Sequence, residues 1–378
     1  MAVLGVLGAG SMGSGIAQVA ATHGWEVQLV DINQDAIVES RNKLQKILNR
    51  QVEKGRMSDL EVREIMGRIY FGTSMSTFSE ADMVIEAIVE NLEVKQKVFA
   101  QIEEIVGDDC ILATNTSSLS VTAIASAIER PERFIGIHFF NPAPLMKLVE
   151  IIPAVQTDDA ITAKAKSVID SWQKYTVLVK DTPGFIVNKV ARPFYGEGIK
   201  IYEEGLATPA TIDWVMREMG GFRMGPFELT DYIGHDINYK VTESVWNAFY
   251  CDGRYKPSLA QKSLVNARYL GRKSGRGFYD YADGAIRPIP DKDRTKGLII
   301  LHRIVAMLVN EAADTVYLGI CSEEDVEIAM TKGVNYPKGL LAWGHELGYD
   351  YVVRVLDDLY DRYHEERYRV SPWLRDRV

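Results

Sequence analysis

Residues Val3 to Asp31 leave this chain little freedom of fold. Val3-Leu4-Gly5-Val6-Leu7 is a short apolar run, followed at once by Gly8-Ala9-Gly10-Ser11-Met12-Gly13. Ser14 to His23 then reads as a helix with Ile16, Ala17, Val19 and Ala20 on its apolar side, and Gly24 breaks it. Trp25 to Asp31 alternates like a second strand and ends on an acid. This is G-x-G-x-x-G in strand-turn-helix context, with the acid about twenty residues on. Gly8 permits the tight turn, Gly10 lets backbone approach a pyrophosphate, and Gly13 lets helix and strand pack closely. The helix start, at Ser11 and Met12, then faces phosphates with its N–H groups and a favourable dipole. Asp31 is placed to accept hydrogen bonds from ribose hydroxyls and would repel a 2′-phosphate, which favours NAD over NADP. The plainer alternative is a glycine-rich turn that binds nothing.

Further β/α alternation follows. Ile37 to Lys54 reads as a polar helix carrying Arg41, Lys43, Lys46, Arg50 and Lys54, which suits a solvated face. Met83 to Ile88 is a buried strand, Val94 to Val106 a helix, and Cys110 to Thr114 a strand leading into Asn115-Thr116-Ser117-Ser118. The alternation predicts a mostly parallel, doubly wound sheet, which binds ligands outside the carboxyl ends of its strands. Gly8, Asp31, Glu90, Asn115, Ser117 and His138 each fall at or just past such an end. Ser117 could equally be an ordinary helix cap.

Phe134 to Phe140 reads as a strand that Asn141-Pro142 stops, with His138 near its carboxyl end. In Met146 to Ile152, alternation puts Glu150 on one face with Met146, Leu148 and Ile152. A carboxylate in such company is costly without a partner. Paired as a hairpin, the two segments bring His138 and Glu150 opposite each other, an imidazole oriented by a buried acid. The bland reading is a core histidine on a backbone carbonyl and a glutamate on some lysine.

The chain's 378 residues allow two or three domains, and a formal charge of −9 argues against nucleic acid or anionic membrane as main partner. Cys110, Cys251 and Cys321 are widely separated, with no metal-ligand spacing, so no metal is expected and a reducing compartment fits. No apolar run is long enough to span a bilayer. With the first strand starting almost at Met1, no leader is expected, and the cytoplasm is the expected location.

Val177 to Lys180 reads as one last strand, and Asp181-Thr182-Pro183-Gly184 as a boundary where Thr182 caps and Pro183 opens a helix. Nearly all that follows is helical, with Asn188 in the first turns of a long helix. The carboxyl-terminal segment repeats part of this half. With Gly205 aligned to Gly319, Glu197 meets Glu311, Ile212 meets Val326, Asp213 meets Glu327, Met216 meets Met330, Gly225 meets Gly339, Gly234 meets Gly348 and Asp236 meets Asp350. The expected organisation is a Rossmann-type domain over residues 1–181, a helical domain over 182–288 and a duplicated helical domain over 289–378. The second copy has His302 where the first has Asn188, and packing against the first copy is its expected role.

Together these motifs resemble the 3-hydroxyacyl-CoA dehydrogenase family, especially its bacterial 3-hydroxybutyryl-CoA and 3-hydroxyadipyl-CoA dehydrogenase branch. The stretches that carry the resemblance are Val6 to Gly13, Asn115 to Ser120, His138 to Pro142, Asp181 to Asn188 and Gly225 to Leu229. The resemblance implies an NAD-dependent oxidation of (S)-3-hydroxyacyl-CoA to 3-ketoacyl-CoA, and its reverse, on short acyl chains such as 3-hydroxybutyryl-CoA. In it His138 is the general base, Glu150 its orienting acid, Ser117 a hydrogen-bond donor to the 3-oxygen and Asn188 a substrate-positioning group. Glu90, Lys95, Asn141 and Lys273 match positions that contact the cofactor. The usual Asn-Arg pair is Asn188-Lys189 here. An acyl-CoA substrate is implied, with either a homodimer or a monomer whose second helical copy serves as internal partner. A dicarboxylic acyl-CoA, or a CoA-free hydroxy acid or sugar acid on the same scaffold, are the competing substrates.

Overall fold

The computed structural model describes residues 2–378, which form two compact units, one up to Thr182 and one from Pro183. The first unit opens with β1 (Val3–Leu7), α1 (Ser11–Thr22), β2 (Glu26–Val30), α2 (Gln34–Glu53), α3 (Asp59–Gly67), β3 (Ile69–Gly72) and β4 (Met83–Glu86). It continues through α4 (Leu92–Glu103), β5 (Ile111–Thr114), α5 (Val121–Ala125), β6 (Phe134–Phe139), β7 (Leu148–Pro153), α6 (Asp159–Ser171) and β8 (Tyr175–Leu178).

The strands make one sheet in the order β3-β2-β1-β4-β5-β6-β7-β8. Pairing is parallel throughout except between β6 and β7, so the last two strands run against the rest. Strand order reverses beside β1, which places the glycine turn at the switch point where such sheets bind ligands. Leu4, Val6, Val27, Leu29, Ile85 and Ile111 are buried in the sheet core. The expected strands and helices are present within a few residues. The helices α3 and α6 and the edge strand β3 were not foreseen. α3 starts at a capping box, Ser58 with Glu61, a local signal present in the sequence.

The second unit is helical: α7 (Val187–Val190), α8 (Arg192–Glu203), α9 (Pro209–Trp214), α10 (Pro226–Ile233), α11 (His235–Ala248), α12 (Leu259–Asn266), α13 (Arg294–Tyr317), α14 (Glu323–Ile328), α15 (Leu340–Leu347), α16 (Tyr349–Tyr363) and α17 (Pro372–Arg375). Thr182 and Pro183 do not open a helix. Gly184 and Phe185 take positive φ instead, and the first helix is the short α7, followed after Ala191 by α8. Asn188 therefore lies on a four-residue turn rather than on a long helix. The helical segments before and after residue 288 pack into one unit rather than standing as separate bodies. Its axis is α13, buried along most of its length through Ile300, Ile304, Leu308 and Ala312.

Local details recur at aligned positions of the two helical segments. Asp213 accepts the Phe227 and Glu228 N–H groups at the start of α10, and Glu327 accepts those of Leu341 and Ala342 at the start of α15. π-helical turns, rare in proteins, follow both α9 and α14. The buried ion pairs are exchanged: Lys189 Nζ meets Glu311 at 2.5 Å, and Arg303 Nε meets Glu197 at 2.6 Å. Tyr255 donates to Glu311 at 2.5 Å and Tyr368 to Glu197 at 2.9 Å.

Candidate active site

The glycine turn has the shape its spacing implies. Gly8 has φ +105° and its N–H donates to the Val30 carbonyl at 2.7 Å. A Cβ on Gly13 would lie 1.8 Å from the Gly8 carbonyl oxygen, whereas one on Gly10 would meet nothing within 4 Å. Gly13 is thus closed by protein, and Gly10 faces open space. The start of α1 has no side-chain cap, which suits an anionic group at the Ser11 and Met12 N–H groups. Asp31 accepts from the Ala9 N–H at 2.8 Å and the Asn33 N–H at 2.9 Å, which ties the acid to the turn while leaving it further lone pairs. The residues present fit a dinucleotide.

Further along the rim, β6 and β7 pair with His138 opposite Glu150. His138 Nδ1 lies 2.7 Å from Glu150 Oε2, with His138 6 % and Glu150 0 % exposed. The two groups meet each other, as the hairpin register predicts. Phe140 packs on the imidazole, ring centroids 4.5 Å apart. Asn115 accepts the Phe139 N–H at 2.8 Å and so fastens the end of β5 to β6 beside the histidine. Ser11 Oγ donates to Asn141 Oδ1 at 3.4 Å, which joins the glycine turn to the bend after β6. Lys174 holds that bend through the Ala143 and Met146 carbonyls at 2.6 and 2.8 Å, and burial draws its ammonium down to about 8.

Glu90 organises the loop after β5. It accepts from Thr116 Oγ1 at 2.6 Å, from the Ser117 and Ser118 N–H groups at 3.0 and 3.1 Å and from Ser118 Oγ at 3.0 Å. Burial alone would push its carboxyl up; Lys95 and these donors outweigh that and hold it below the usual range. Ser117 is no helix cap: Ser120 fills that place on α5, accepting from Ala123. Lys95 is buried behind the rim, 2.5 Å from Glu86 and 3.4 Å from Glu90, so it pairs first with Glu86 and also neutralises Glu90.

Two members of this network escaped the sequence reading. Glu86 ends β4 as Asp31 follows β2, and it accepts from Thr114 Oγ1 and the Ile88 N–H. Its signal was an acid closing an apolar strand. Asp181, read only as boundary, takes hydrogen bonds from Ser120 Oγ and the Val121 and Thr122 N–H groups. Nothing local marks that contact, which spans some sixty residues.

In the helical unit, Asn188 is half-buried on α7, and its neighbour Lys189 is anchored by Glu311 and Thr315 of α13. Lys273 pairs with Asp236 at 2.6 Å and is half-exposed. A cavity of about 630 Å³ opens beside the glycine turn, lined by Ser11, Lys43, Lys54, Arg56, Ile47 and Leu145 among others. Among the described residues no group of His, Cys, Asp and Glu could hold a metal ion, and no helix is long and apolar enough to cross a membrane.

Two family models match: the 3-hydroxyacyl-CoA dehydrogenase NAD binding domain over residues 3–182, and the 3-hydroxyacyl-CoA dehydrogenase C-terminal domain over residues 184–281 and 299–378. The 3-hydroxyadipyl-CoA dehydrogenase of Escherichia coli strain K12 is 37 % identical across 99 % of this chain and 96 % of its own. A crystal structure of 3-hydroxybutyryl-CoA dehydrogenase from Escherichia coli K12 superposes with a TM-score of 0.95 at 36 % identity, covering 100 % of this chain and 98 % of that one. That of (S)-3-hydroxybutyryl-CoA dehydrogenase from Ralstonia eutropha has a TM-score of 0.72 at 40 % identity, covering 74 % of this chain and 99 % of its own. The chain belongs to the 3-hydroxyacyl-CoA dehydrogenase family.

Proposed function

We propose that the chain oxidises the 3-hydroxyl of short (S)-3-hydroxyacyl-CoA thioesters to the 3-ketone, and reduces the ketone in reverse, with His138 as the proton-transferring group. The 2.7 Å contact between His138 Nδ1 and Glu150 Oε2 carries this reading. With Nδ1 turned to Glu150, Nε2 takes the hydroxyl proton. Glu150 keeps the imidazole in one tautomer and stabilises the imidazolium that forms. Ser117, held by Glu90, hydrogen-bonds the 3-oxygen, and Asn188 positions the substrate. NAD, held by Gly8, Gly10, Ser11, Met12, Gly13 and Asp31 with Glu90, Asn115, Asn141 and Lys273, would supply the hydride acceptor, and Lys95, buried behind the rim, serves it through Glu90.

The cavity beside the glycine turn is our candidate for the CoA portion, since Lys43, Lys54 and Arg56 suit its phosphates and Ile47 and Leu145 its apolar parts. That cavity weighs against a CoA-free hydroxy acid. A dicarboxylic 3-hydroxyacyl-CoA remains the second reading, favoured by the full-length match to the Escherichia coli relative named for 3-hydroxyadipyl-CoA.

We read the two helical segments as a duplication. Its support is the exchange of partners between Lys189–Glu311 and Arg303–Glu197, the self-complementary pattern of a two-fold interface. The second copy then acts as an internal partner for the first, with the cytoplasm as the setting. Equilibrium sedimentation at one chain's mass would support this arrangement.

Reduction of acetoacetyl-CoA by NADH tests the main reading. His138→Ala should lower kcat roughly 10²- to 10⁴-fold with NAD affinity little changed. Near wild-type turnover in that variant would sink the assignment.

A further inference from the structure

Buried cations of the helical unit come with carboxylates: Lys189 with Glu311, Arg303 with Glu197 and Glu204, Arg254 with Asp252 and Asp314. Arg192, in the first turn of α8 and 7 % exposed, has none among the described residues. Its Nη1 donates to Thr242 Oγ1 at 3.1 Å, its guanidinium lies 4.9 Å from the centre of the Tyr195 ring, and its Nε finds no acceptor. One neutral hydrogen bond and one cation–π contact recover less than burial of a guanidinium costs. Burial draws the guanidinium below its ordinary range, and the groups that oppose this are the Tyr195 and Tyr336 hydroxyls rather than an acid. The Tyr336 hydroxyl is itself a buried donor without a partner.

Arg192 lines a small cavity together with Thr242, Arg254, Lys256, Ser258 and Gln261, all of them in the helical unit. No carboxylate lines it. Arg254 is matched by its two aspartates and Lys256 is exposed to solvent, so the unmatched charge at the cavity belongs to Arg192. At about 20 Å³ the cavity takes one particle of about the size of a water molecule. A water would accept from Nε and leave the charge as it is. A monovalent anion of similar size would accept from Nε and balance the charge as well.

The second helical segment shows that the scaffold needs no cation at this place. With Gly205 aligned to Gly319, Lys189 has Arg303 as its counterpart and Glu197 has Glu311, whereas Arg192 has Ala306. Helix α13 runs through Ala306 unbroken and buried. Helix packing therefore calls for the paired charges in both segments and not for Arg192, which points to a ligand.

We propose that the cavity is a halide site, in which chloride is the counter-ion of Arg192. The anion accepts from Nε and takes the place of the carboxylate that the chain lacks there. It sits where α8, α11 through Thr242, and the segment 254–261 come together. Because it binds the folded form, chloride stabilises the helical unit in proportion to its occupancy.

Thermal unfolding of the full chain in sodium chloride and in sodium gluconate, at matched ionic strength, tests this. Tm should rise with chloride by about 2–8 °C and level off, as saturable binding does, with no such rise in gluconate. Arg192→Met should lose the chloride dependence and, in gluconate, unfold at or above the wild-type temperature, because it no longer buries an unpaired cation. In crystals of the wild type grown with bromide, an anomalous peak should lie within hydrogen-bond reach of Arg192 Nε, a measurement that needs no variant to fold. Equal Tm in the two salts overturns the site, as does a chloride dependence that Arg192→Met retains. A water alone in the cavity, with bromide at the surface as an adventitious ion only, overturns it too.

Discussion

Glu150→Gln isolates the charge of the buried acid from its shape. Glutamine fills the same space between Leu148 and Ile152 and can still accept from His138, but it offers no negative charge to an imidazolium. The pair is secluded, with side chains 7 % and 0 % exposed. Two unit charges about 4 Å apart at an effective dielectric near 20 attract by about 4 kcal/mol. Proton transfer is only partly complete at the transition state, so about half of that is lost. A glutamine that turns its NH₂ toward Nδ1 holds the wrong tautomer and adds to the loss. At 1.36 kcal/mol per tenfold, a loss of about 2–4 kcal/mol lowers kcat roughly 30- to 1,000-fold. The dinucleotide contacts lie on the glycine turn, so NAD affinity should hold. The assay is acetoacetyl-CoA reduction followed by the disappearance of NADH, beside NAD titration of the same variant. A kcat indistinguishable from wild type would refute the claim that Glu150 stabilises a charge on His138.

Asp31→Ala removes the acid that also receives the Ala9 N–H. It should weaken NAD roughly 10- to 100-fold and relax discrimination against NADP, as read by titration with both; an unchanged preference would misplace the ribose site. Glu311→Ala leaves the Lys189 ammonium buried without its carboxylate and should cost about 3–5 kcal/mol in denaturant unfolding. Combining Glu311→Leu with Lys189→Met should cost much less, and strict additivity of the single losses would contradict the pairing. Burial, against the Tyr279, Phe227 and Glu228 hydrogen bonds, pushes the Asp213 carboxyl up to about 7. Its proton is therefore held more tightly folded than unfolded, and stability from this group falls as pH rises from about 4 through about 7. Asp213→Asn should flatten that part of the stability–pH curve; an unaltered slope would show that Asp213 does not titrate there.

The glycine turn was legible because each part of it is local: a strand, a turn that needs positive φ at Gly8, and a helix start within a few residues. His138 and Glu150 were legible for a related reason. They sit in two strands joined by a short bend, so alternation and hairpin register were enough to set them opposite. Thr182 and Pro183 show the limit of local signals. They have the residue types of a helix start, yet the chain turns through Gly184 and Phe185 first and uses Asp181 to cap α5 instead. Lys95 could be placed near the rim by family likeness, but its burial between Glu86 and Glu90 depends on strand β4 and helix α4 packing together.

By itself, then, the order of residues determined the dinucleotide-binding unit, the facing imidazole and acid, and the recurrence of helical features near the carboxyl end. Each depends on contacts between near neighbours or on a repeat visible without coordinates. Which buried cations find a carboxylate was decided by tertiary structure alone. Lys189, Arg192 and Arg303 look alike as basic residues in apolar helices, and only the packing of α7 and α8 against α13 gives Lys189 and Arg303 an acid and leaves Arg192 without one among the described residues.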